Sequence, residues 1–160
     1  MRIIYVILLV STSFFVSSCA TGYHSTKLTG GYSSTQLDEN LFKVSFNGNG
    51  YTSRTRSSDF CLLRSAELCK KSGYKYFVII DEGEYTSHSQ YTTSTRTTGN
   101  ATVVGNSVYG SSTTTGGQTY NIAKPSNTNT ILCFIEKPEG FSYNADFIFK
   151  SISEKYEIEH

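Results

Sequence analysis

The side chains whose type and spacing bear on chemistry are the cysteines, the histidines, one cluster of acids and one pair of arginines. Cys61, Cys69 and Cys133 are candidate disulfide or free-thiol positions. Cys61 and Cys69 stand eight positions apart, about 12 Å along a helix and beyond disulfide reach. Cys133 is the candidate partner for either, which leaves one thiol over. The competing reading is three buried small apolar side chains, as free cysteine often is. No C-x-x-C occurs, so neither zinc nor thiol exchange has a motif. His24, His88 and His160 have no carboxylate or cysteine at ligand spacing, and no metal is expected. There is no G-x-S-x-G, so the many serines are composition rather than activated nucleophiles. Asp81, Glu82 and Glu84 are the acidic cluster, without the spacing of a calcium loop, and read as a solvated strand end. Arg54 and Arg56 lie close to Tyr51. A basic pair beside an aromatic suits an anionic glycan or a partner carboxylate, while an ion pair within the domain is the commoner role of exposed arginine. No catalytic residues are expected.

Cys19 has a different setting. Arg2 is followed by an unbroken apolar run, Ile3 to Val10, and a softer one to Val16. The apolar stretch is roughly 14 residues, short of the about 20 needed to cross a bilayer, so it reads as a signal-peptide core. Val16-Ser17-Ser18-Cys19 follows directly. It resembles the lipobox of bacterial lipoproteins, in which the cysteine receives a diacylglycerol and, after cleavage between Ser18 and Cys19, a fatty acid such as palmitate. Ordinary secretory cleavage after Ala20 is the alternative. Two or three acyl chains anchor a protein stably where one does not. Ala20 is not the aspartate associated with inner-membrane retention, so the resemblance favours the outer membrane, facing the periplasm.

The elements that must position these residues follow from patterning. The 160-residue chain carries a formal charge of +1, which leaves no electrostatic case for nucleic acid. Residues 1–18 are the expected signal peptide and 19–35, small and glycine-bearing, a flexible tether, with an edge strand at its end as the alternative. Residues 36–157 form one α+β domain. Phe42, Val44 and Phe46 alternate with polar residues as in a strand with one buried face. Ser57, Ser58 and Asp59 supply cap chemistry for a helix to about Lys71, with Arg64, Glu67 and Lys71 on its polar face. Tyr76 to Ile80 is apolar throughout and reads as a central strand covered on both sides. Strand, helix and strand in this order suggest a βαβ crossover. A Thr/Ser-rich insert, about 84–122, is either a loop or a hairpin turning near Gly105-Asn106. Thr130 to Glu136 reads as a further strand, and Asn144 to Lys155 as a second amphipathic helix. The expected architecture is a small sheet of three or more strands with two helices packed on it.

Gly31-Tyr32-Ser33, Gln36-Leu37-Asp38, the block Phe42 to Arg54 (FKVSFNGNGYTSR) and Leu62 to Asp81 (LLRSAELCKKSGYKYFVIID) together resemble a family of uncharacterised proteobacterial lipoproteins. Members share a VSF-x-GNGYTSR block, an R-x-AEL helix, a GY-x-YFVI strand and a Thr/Ser-rich insert. An N-T-I-x-CF strand follows that insert, matched here by Asn129 to Phe134. The resemblance implies an anchored envelope protein and carries over no activity, cofactor or functional residue.

The functional expectation is a cell-envelope lipoprotein that is not an enzyme. It would work as an interaction or scaffolding module, contacting an envelope protein or peptidoglycan through the insert and through Tyr51, Arg54 and Arg56. The alternative is a redox or stress sensor using the spare cysteines. No cofactor is expected beyond the covalent lipid on Cys19.

Overall fold

The computed structural model describes residues 19–159. The signal-peptide expectation, Ser18 and His160 lie outside the described residues. The described chain forms two units, one of residues 19–85 with 124–159, the other of Thr86–Ala123.

The first unit is α+β. Strands β1 (Gly31–Asp38) and β2 (Leu41–Asn47) form an antiparallel hairpin. Helix α1 (Arg54–Lys71) follows, then β3 (Tyr76–Thr92) and β6 (Thr119–Phe134), which both continue into the second unit. The short β7 (Tyr143–Asn144) and helix α2 (Ala145–Tyr156) close the fold. The sheet order is β1-β2-β6-β3-β7. β6 pairs antiparallel with β2, from Leu41 opposite Leu132 to Asn47 opposite Ser126. Bonds from Lys75 N–H to the Phe134 carbonyl and from the Ser126 hydroxyl to the Tyr85 carbonyl run β3 against β6. α1 thus links two strands, β2 and β3, that lie on either side of β6.

Alternation in β2 does what period two requires. Phe42, Val44 and Phe46 are 4%, 0% and 0% exposed, and they share the core with Ile131, Cys133 and Phe77. α1 lays Phe60, Cys61, Ala66 and Cys69 on that face, and its Leu63 is buried as well. Phe60 is the pivot, edge-on to Phe46 at 5.1 Å, to Tyr156 at 4.8 Å and to Tyr23 at 5.6 Å. α2 runs antiparallel to α1: Lys70 pairs with Asp146 at one end, and Asp59 accepts from Lys155 and Tyr156 at the other.

Four sequence expectations need correction. α1 begins at Arg54, with Ser53 as the cap accepting from Arg56 N–H at 3.1 Å. Ser57 is buried inside the helix instead. β3 is covered on one face only, since Phe77 is buried while Ile80 is 56% exposed. β6 ends at Phe134, and Ile135 beyond it is 62% exposed. Finally, residues 19–35 are not a free tether. Gly31 already opens β1, and the residues before it are bonded to the domain, as described below.

In the second unit, β4 (Arg96–Val104) and β5 (Ser107–Thr115) pair from Arg96 opposite Thr115 to Val104 opposite Ser107, across the Gly105-Asn106 turn. Hydroxyls bond across its ladders, Thr97 to Thr114 at 2.9 Å and Thr92 to Thr119 at 3.0 Å. Every residue of β4 and β5 is exposed. A two-stranded ladder has no second layer to bury a face, so threonine, which suits extended backbone and tolerates water, fills it.

Candidate functional site

Cys19 sits against the loop that ends β2. In Gly48-Asn49-Gly50-Tyr51, the Asn49 side chain turns the chain on itself, its Oδ1 accepting from Tyr51 N–H and from the Thr52 hydroxyl, each at 3.0 Å. Its Nδ2 donates to the Cys19 carbonyl at 2.8 Å. Thr21, 3% exposed, accepts from Asn49 N–H at 3.0 Å and donates from its own N–H to the Thr52 hydroxyl at 3.1 Å. It also donates from its hydroxyl to the Thr29 carbonyl at 2.9 Å. Two glycines permit this approach. A Cβ on Gly48 would lie 2.7 Å from Thr52 Cβ. One on Gly30 (φ +106°) would lie 2.2 Å from the Asn47 carbonyl oxygen. Cys19 itself is exposed.

A second constellation centres on Glu67. Its carboxylate accepts from Tyr23 hydroxyl at 2.5 Å, Arg64 Nη1 at 2.8 Å and Lys71 Nζ at 2.6 Å. Burial pushes this carboxyl up most strongly, but the donations from Lys71, Tyr23 and Arg64 together outweigh it and hold it down at about 2. Burial, then the bond to Glu67, raises the Tyr23 phenol well above its ordinary value. Arg64 also lies 4.4 Å from the Tyr32 ring centre. The cluster therefore locks the segment before β1 onto α1. Every donor is engaged with an acid that stays ionised, which suits structure rather than proton transfer.

All four cysteines are free, and three are buried. Cys69 and Cys133 lie close enough between α1 and β6 for their thiols to influence each other, while the Cys69 thiol donates to the Tyr76 carbonyl at 3.4 Å. The contact with Cys133, then burial, raises Cys69, while the same contact lowers Cys133, because a proton kept on one sulfur stabilises a thiolate on the other. Cys61 stands apart, donating to the Val44 carbonyl at 3.5 Å, and burial pushes its thiol up to about 12. A thiol so placed is inert at neutral pH.

The remaining candidates disperse. Tyr51 is 75% exposed. Arg54 faces Glu84 at 3.7 Å with both side chains largely in solvent. Arg56 instead packs on the rings of Phe60 and Tyr156, at 5.1 and 5.2 Å, which makes it part of the helix interface. Glu82 accepts from Asn127 at 3.4 Å. His24 Nδ1 lies 2.8 Å from the Ser25 carbonyl oxygen, and His88 is exposed on β3. Among the described residues no three His, Cys, Asp or Glu side chains converge on a common point. The Asn49 cluster escaped the sequence reading, as did the part of Tyr23 in the Glu67 cluster. Helical spacing signals that Arg64, Glu67 and Lys71 share a face, but nothing local marks Tyr23 or Thr21 as their distant counterparts.

No family model, curated protein or solved structure matches this chain.

Proposed function

We propose that this protein is a cell-envelope lipoprotein, anchored through acyl chains on Cys19 in the outer membrane, and that it is a non-catalytic interaction module. The observation that carries the reading is the hairpin of the second unit. Val103, Val104, Val108 and Tyr109 cluster at its tip with exposures of 63–69%, on a hydroxyl-rich ladder with no buried residue in β4 or β5. Apolar tips of this kind on a polar stem are typical of contact surfaces, where tyrosine offers a flat body and a polar end. The partner is an envelope protein or peptidoglycan. The resemblance to uncharacterised proteobacterial lipoproteins and the Val16-Ser17-Ser18-Cys19 lipobox support the envelope setting.

A photo-crosslinking residue at Tyr109, used in cells beside a chain lacking Thr86–Ala123, tests it. One recurrent envelope partner, captured through position 109 and lost with the deletion, supports the module. Identical capture with and without the insert would sink it.

The paired thiols of Cys69 and Cys133 favour a second reading, a redox sensor. A disulfide-bearing oxidant would accept two electrons and two protons from the pair as their sulfurs join. Peptide mapping under non-reducing conditions, after exposure to such an oxidant, should yield a Cys69–Cys133 crosslink with Cys61 free. A crosslink to Cys61, or none, removes this reading.

A further inference from the structure

The bonding around Cys19 bears on where the domain stands relative to its anchor. A free segment of 19–35 would hold the domain off the bilayer by about 20 Å in root-mean-square reach. Instead the Cys19 carbonyl is held by Asn49, and Thr21 is buried two residues on. No slack separates the anchoring residue from the fold. Whatever surrounds Cys19 therefore faces the lipid that Cys19 carries.

Two loop tips belong to the turns bonded to the Cys19–Thr21 segment. Leu28 crowns the tight turn in which Lys27 and Gly30 bond reciprocally, and it is fully exposed, at 107%. Tyr51 crowns the Asn49 turn at 75%. Both turns are tied through Thr21. The groove between the Leu28 turn and Asn47, Gly48 and Asn49 is lined by Lys27, Lys124 and uncharged residues, without a carboxylate. A fully exposed leucine in a turn bonded to the anchoring segment gains by entering the apolar layer of a bilayer. Tyr51 in the bonded Asn49 turn and the groove's Lys27 and Lys124 match the interfacial layer of a bilayer bearing anionic headgroups.

We infer that the Leu28 and Tyr51 loops, with Lys27 and Lys124, form a membrane-contacting face that seats the domain directly on an anionic lipid surface. The inference rests on the proposed anchoring through Cys19. It adds a fixed orientation, in which the end of β2 at Asn47 lies against the lipid and the end at Leu41 points away.

The test uses the full chain, expressed in bacteria and reconstituted into phosphatidylethanolamine–phosphatidylglycerol vesicles with brominated acyl chains. Environment-sensitive fluorophores are placed singly at Leu28→Cys, Tyr51→Cys and Glu39→Cys. Glu39 lies beyond the far end of β2, about 20 Å away at 3.3 Å per strand residue. Intact mass measures acylation of Cys19. With acyl chains present, labels at 28 and 51 should shift to the blue and be quenched several-fold more than the label at 39. Equal or absent quenching at all three positions in acylated protein overturns the seated orientation while leaving the anchor standing. Absence of acyl mass on Cys19 overturns the anchoring and this inference with it.

Discussion

Glu67 shows how one side chain can fasten two distant parts of a chain. Its three donors come from α1 itself and from Tyr23, and only 13% of its side chain remains exposed. Because its carboxyl sits near 2 against an ordinary 4.5, its contribution to stability is full above about pH 4.5. It is lost as pH falls toward 2. Glu67→Gln should cost about 1 to 2 kcal/mol at neutral pH, after allowance for the exposed Lys71. The variant should also lack that acid-dependent loss. Urea unfolding at pH 7, 4.5 and 3 in both proteins measures this, and parallel decline in the two would rule the cluster out as the cause. Half of this site was legible in the sequence, since spacings of three and four put Arg64 and Lys71 beside Glu67. Tyr23, 44 positions away, was not, because a phenol in a glycine-bearing stretch carries no periodicity to read.

At the scale of elements, the start of α1 separates pattern from chemistry. Ser57, Ser58 and Asp59 have the composition of a cap, yet Ser53 performs it and Ser57 lies in the core. Arg54, Thr55 and Arg56 contain no apolar residue, so the first turn leaves no amphipathic trace. Arg56 belongs in the helix because its guanidinium covers Phe60 and Tyr156. Ser53→Ala should lower stability by about 1 kcal/mol through loss of the bond to Arg56 N–H. Ser58→Ala should change it by less than about 0.5 kcal/mol. Denaturant midpoints for the two variants decide between the starts, and a larger loss at Ser58 would put the cap where composition suggests.

At the scale of the whole molecule, the buried apolar residues among those described all belong to the first unit. The second unit adds ladders and hydroxyl bonds without a core of its own. Replacing Thr86–Ala123 by a short turn should therefore leave cooperative thermal unfolding intact, with a midpoint within a few degrees of the parent. Circular dichroism against temperature checks it. Loss of cooperativity would mean that the insert contributes to the fold of the first unit.

What the amino-acid order determined alone is what repeats locally. Alternation at Phe42, Val44 and Phe46 specified a one-faced strand, and helical spacing specified α1 and α2, each to within a few residues. The α+β class followed. Tertiary structure alone decided which distant residues meet: Asn49 with the Cys19 carbonyl, Tyr23 with Glu67, Cys69 with Cys133, and β6 between β2 and β3. Periodicity is a property of neighbours and survives in any window of sequence. Pairing across dozens of residues depends on loop closure and on packing the whole core at once, and no window contains it.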